Sequence, residues 1–154
     1  MIDAISLKIL KILQEKARIP NVEVARQVGM APSAVLERIR KLEKQGFIDG
    51  YEVRLNPQRF AKSLVAFVRV KINKLGDEKK VGEKLSRIQQ IQEVHYVAGE
   101  DAFLVKIRAA DTEDLGRLTR DKIAAIATVQ STQTAIVLST YKETARIPIE
   151  IVND

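Results

Sequence analysis

Residues 21–45, NVEVARQVGMAPSAVLERIRKLEKQ, constrain the fold more than any other stretch of the chain. Val22, Val24, Ala25 and Val28 give a first short helix an apolar side. Gly29 ends it, because glycine enters the left-handed conformation without steric cost. Pro32 stands where a first helical residue belongs, since its missing N–H is an orphan there anyway. Val35, Ile39 and Leu42 then recur at i, i+4 and i+7, a single inward helical stripe. The opposite side carries Ser33, Ala34, Glu37, Arg38, Arg40, Lys41 and Lys44. Two helices so arranged, with a third upstream whose Ile2, Ile5, Ile9 and Leu13 cover them, predict a helix-turn-helix of the winged type. Such a motif places its second helix in the DNA major groove and reads bases near that helix's N-terminal end. A helical hairpin with a solvated basic face is the plainer reading. The small residues Pro32, Ser33 and Ala34, which permit close backbone approach, favour the groove.

Charge agrees. The net charge of the 154 residues is +6. Residues 1–60 hold 11 Lys+Arg against 7 Asp+Glu, and the longer remainder 15 against 13. The excess therefore concentrates where a polyanion partner is expected. The chain has no cysteine and one histidine, His95, a poor inventory for zinc binding or histidine-based acid–base chemistry. No cofactor is expected. No apolar run approaches the roughly 20 residues of a membrane span, and no leader opens the sequence, so a cytoplasmic protein is expected.

After Gly46, Phe47 and Ile48 are expected to return to the core. Tyr51, Val53 and Leu55 alternate with Glu52 and Arg54, the period of a strand, until Asn56-Pro57 breaks it. The second half repeats itself. Strands are expected at 64–72, 94–98, 103–109 and 132–138, with helices around Val81, Leu85 and Ile88 and over 113–126. Two such β-α-β units predict a ferredoxin-like βαββαβ sheet with helices on one face. The chain is thus expected to be α+β, with a helix-turn-helix domain over 1–50, a linking strand and hinge over 51–60, and a βαββαβ domain over 61–154. The uncovered sheet face suggests a dimer. Arg69, Lys71, Lys106 and Arg108 read as solvated, and His95 as an ordinary strand residue. In the tail, Ile147, Ile149 and Ile151 alternate, as in an edge strand or a segment packed on a neighbouring subunit.

Several segments, in this order and spacing, resemble the Lrp/AsnC (feast/famine) family of transcriptional regulators. They are residues 7–10 (LKIL), 17–19 (ARI), 28–35 (VGMAPSAV), 38–43 (RIRKLE), 46–48 (GFI) with Gly50 and Tyr51, 99–104 (GEDAFL), and 136–140 (IVLST) with Lys142. The resemblance covers nearly the whole chain. It implies a regulator that binds double-stranded DNA, pairs through its sheets into homodimers and joins these into tetramers or octamers. It also implies a small effector, usually an amino acid, near Gly99, Glu100 and Asp101. Thr132 and Thr134, two apart on the last strand, are candidate further lining residues. Arg38 is the candidate guanine reader, with Arg40 and Lys44 on phosphates. The chain departs from the family where Ala31 replaces a capping serine, where Ser6 replaces an acid, and where Ala102 stands in the effector loop. An alternative on the same fold is a tetrapyrrole decarboxylase of the haem pathway.

Overall fold

A computed structural model of the chain describes residues 2–73, 76–99 and 102–150. The chain divides into two units, Met1–Arg54 together with Glu143–Asp154, and Leu55–Lys142.

The first unit is built on three helices. Helix α1 (Ala4–Glu15) starts where the Asp3 carboxylate accepts the Ser6 N–H at 2.7 Å, an N-cap that satisfies one orphan donor. Helix α2 (Asn21–Val28) ends at Gly29, which takes the left-handed conformation (φ 70°). Helix α3 (Pro32–Lys44) begins on its proline with no side-chain cap from Ala31. Past its end the Phe47 N–H reaches back to the Leu42 carbonyl at 2.9 Å, around Gly46 at φ 75°. Ile9, Leu13, Val24, Ala25, Val35 and Ile39 form the core, with Ile48 packed against it. Burying each of the larger ones stabilises by about 1.5–3 kcal/mol relative to exposure.

Three expectations change in this unit. Phe47 stays about half exposed, and only Ile48 joins the core. Residues 51–56 form no strand. A strand needs a ladder partner, and the described residues of one chain offer none there. The Tyr51 hydroxyl instead donates to Glu43 Oε1 (2.9 Å), while Val53 and Leu55 face solvent. The tail, expected with the 61–154 domain, belongs to this unit. Gln14 clasps it: its Nε2 donates to the Ile147 carbonyl (3.1 Å) and its Oε1 accepts the Ile147 N–H (2.8 Å). Arg146 Nη2 donates to the Glu15 carbonyl (3.3 Å). Helix α1 has no basic residue in its own last turn, so Arg146 supplies the cation that a helix C-terminus favours. Ile151 lies outside the described residues.

The second unit opens with a 3-10 turn, Pro57–Phe60, capped by Asn56. Its elements follow as β1 (Leu64–Ile72), α4 (Glu78–Ser86), β2 (Ile91–Val97), β3 (Ala102–Ala109), α5 (Thr112–Leu118) and β4 (Val129–Ile136). The strands form an antiparallel sheet in the order β2-β3-β1-β4. Ala66, Val68, Val70 and Ile72 of β1 and Phe103, Val105, Ile107 and Ala109 of β3 pack with Val81, Leu85, Leu115 and Leu118 from the helices. By alternation Val65, Phe67 and Leu104 lie on the other face.

The helix expected over 113–126 is shorter. After Leu118 the chain widens into a π turn, Thr119–Ile123, in which the Ala124 N–H reaches the Thr119 carbonyl at 2.8 Å. The Thr119 hydroxyl donates to the Leu115 carbonyl (2.9 Å), the local side-chain competition that disturbs helices. Lys106 is also not solvated. It is 8 % exposed and donates to Glu93 Oε1 at 3.1 Å, an oxygen pair that also meets exposed His95 through Glu93 Oε2 (3.3 Å).

Candidate DNA interface and effector cleft

Helix α3 turns Val35, Ile39 and Leu42 into its unit. Ser33, Glu37, Arg40, Lys41 and Lys44 face solvent, and Ala34 is half-buried. No ion pair among the described residues holds Arg40, Lys41 or Lys44. Three exposed cations outside any such pair and a small-residue start leave a surface that a phosphodiester backbone can approach and that can neutralise its charge.

Arg38, the expected guanine reader, already has partners within its own unit. Its Nη1 donates to Asp3 Oδ2 (2.5 Å) and to Ser6 Oγ (3.1 Å), and its side chain is only 31 % exposed. The arginine and the Ser6 N–H together hold the Asp3 carboxyl down at about 2. Asp3 thus caps α1 and anchors α3 at once. The sequence carries the cap, as an Asp three residues before Ser6, but not the partner 35 residues away. Leu36, not singled out by the apolar stripe, is 36 % exposed on the flank of the same helix beside Arg40. A leucine one position off the Val35–Ile39–Leu42 spacing is the signal that marks it.

In the second unit, Gly99 occupies the β2–β3 hairpin at φ 113°, with open space where a Cβ would stand. Glu100 and Asp101 lie outside the described residues. Thr132 and Thr134 pair with Val70 and Val68 of β1, on the helix side of the sheet. They line a cleft of about 460 Å³ with Thr112, Gly116, Thr119 and Arg120, against α5 and the π turn. The four residues from the helical side were not expected from sequence, since the π turn that presents Arg120 has no periodic signature. The structure does not bring the Gly99 hairpin and this threonine pair together within one chain. Strand β1 separates β3 from β4, two ladder steps of about 4.8 Å each.

A three-helix unit with an exposed basic α3, followed in the chain by a βαββαβ sheet unit, is the architecture of a helix-turn-helix DNA-binding protein with a second domain. The comparisons with known proteins carry this to the family. Residues 2–49 match the winged helix-turn-helix DNA-binding family, and residues 65–147 the Lrp/AsnC ligand binding domain. The chain belongs to the Lrp/AsnC family of transcriptional regulators. It is 34 % identical to the leucine-responsive regulatory protein of Escherichia coli strain K12 over 151 residues, covering 97 % of this chain and 92 % of that one. Among solved structures it is similar to a Neisseria meningitidis transcriptional regulator in complex with L-methionine (29 % identity, TM-score 0.91, 96 % and 97 % covered). It is likewise similar to the feast or famine regulatory protein of M. tuberculosis complexed with L-methionine (29 %, TM-score 0.89, 97 % and 100 % covered).

Proposed function

We propose that this regulator binds a roughly palindromic DNA site as a homodimer or larger assembly and answers to a free amino acid. The observation that carries the DNA half is the exposed side of α3. Ser33, Ala34 and Glu37 face base edges, while Arg40, Lys41 and Lys44 neutralise phosphates, contacts that position without specifying. Arg38 fixes the helix rather than reading from it. Two such helices on successive major grooves sit about 34–36 Å apart.

The effector half rests on two features. Gly99 lets a ligand approach the backbone, and the hydroxyls of Thr132 and Thr134 offer donors and acceptors beside Arg120. Glu100 and Asp101 supply acceptors for an ammonium group by their composition alone. One strand separates hairpin from cleft, and we assign the amino acid to a seam between copies, at the hairpin of one and the cleft of another. Its binding then favours particular assemblies, by its differential affinity for them. Dimer pairing is assigned to the sheet face that bears Phe67 and Leu104, both half-buried in the single chain.

The deciding experiment selects bound duplexes from a random pool with and without a mixture of amino acids, then titrates each of the twenty calorimetrically. Enrichment of one sequence and heat from one or a few amino acids supports the reading. Absence of enrichment sinks the DNA half, and absence of heat the effector half. Nothing observed favours a tetrapyrrole decarboxylase: the single histidine sits exposed on β2 against Glu93.

A further inference from the structure

We propose that Leu36 reads a thymine in the operator through its C5-methyl group; the inference rests on the DNA-binding reading above. Between residues 33 and 44, four apolar side chains are larger than alanine. Three of them, Val35, Ile39 and Leu42, are buried, and Leu36 alone stays 36 % exposed. A single exposed leucine on an ordinary surface needs no explanation. This one shares its flank of α3 with Ser33 and Arg40, three residues before it and four after, the helical neighbours of position 36. Any DNA drawn in by Arg40, Lys41 and Lys44 therefore meets Leu36 as well.

The chemistry of the groove selects its partner. In the major groove each base offers hydrogen-bonding atoms, but only thymine adds an apolar one, the C5-methyl. A leucine set against any other base edge leaves polar atoms without partners, which costs affinity. Leu36 stands in the second turn of α3, about 6 Å along the axis from Pro32, within the N-terminal half that recognition helices bring to base edges. Ser33 and Ala34 add no bulk ahead of it. With Arg38 engaged by Asp3 and Ser6, direct readout falls to the remaining outward residues, and Leu36 is the apolar one among them.

The test uses the full chain and the duplex most enriched by selection from a random pool. Each thymidine is replaced in turn by deoxyuridine, which removes the methyl and nothing else. Wild-type protein is expected to lose about fourfold in affinity at one thymine per half-site, the effect of about one buried methyl-sized group. Leu36→Ala is expected to bind the parent duplex more weakly and to be indifferent to uridine at that position. Leu36→Met, which keeps an apolar side chain, is expected to retain the sensitivity. Random-sequence DNA is expected to bind all three proteins alike. A duplex that is enriched but shows no methyl-sensitive position, or one whose sensitivity persists in Leu36→Ala, overturns the role of the leucine and leaves the DNA reading standing. A pool from which nothing is enriched overturns both.

Discussion

Asp3 joins two helices with one side chain, its two oxygens divided between the Ser6 N–H and the Arg38 guanidinium. Replacing it by asparagine separates the two tasks, because asparagine caps a helix about as well as aspartate but carries no charge. The Asp3 carboxyl lies at about 2 in the folded protein against an ordinary 3.8. Its charge-linked stabilisation is therefore complete above about pH 4 and drains away as pH falls towards 2. More than half of its side chain meets water, so the contribution is under about 1 kcal/mol. Urea midpoints measured at pH 7 and pH 2.5 are expected to fall less between the two for Asp3→Asn than for wild type; equal losses would disconnect Asp3 from acid stability. On the outward side, Lys44→Ala is expected to weaken specific and random DNA alike. It is also expected to lower the slope of log affinity against log salt by about 0.9, the loss of one phosphate contact. A changed sequence preference would make Lys44 a base reader instead.

Helix α3 starts uncapped. Ala31 has the extended backbone of an N-cap (φ −70°, ψ 143°) but no acceptor on its side chain. Ala31→Ser is expected to stabilise the chain by about 0.5–1 kcal/mol, read as a raised urea midpoint. An unchanged midpoint would mean that solvent already satisfies those N–H groups. The missing cap was legible in the sequence, as were all three helices of the first unit and the four strands. Each of these elements has a period of its own and a partner in its own unit. What the sequence did not disclose shares a different origin. Residues 51–56 alternate like a strand, yet alternation cannot supply a neighbour, and none exists for them among the described residues of one chain. At the start of the π turn the Thr119 hydroxyl shares the Leu115 carbonyl with its own N–H, a contact with no pattern to announce it. The Arg38–Asp3 tie and the burial of Lys106 against Glu93 both depend on which residues folding brings together. The basic side of α3 was visible as a face, and the anchoring of one of its members was not.

At the scale of the molecule, the proposed pairing of sheet faces has a test of its own. Phe67 sits on the sheet face away from the helices, opposite Ala135 on β4, and a charge placed there opposes pairing of two such faces. Phe67→Glu is expected to shift the protein to monomers in sedimentation velocity at micromolar concentration while keeping its far-ultraviolet spectrum. A dimer that survives would move the interface elsewhere. The first unit has its own peculiarity, for it is interrupted: residues 1–54 precede the second unit and 143–150 follow it, where Gln14 and Glu15 receive them. On a ribosome adding about 5–20 residues per second, the three helices emerge and wait some five to twenty seconds before Arg146 arrives. Throughout that interval the Glu15 carbonyl lacks the Arg146 guanidinium. The last contacts of the helical unit are thus made only after the whole sheet unit has been synthesised.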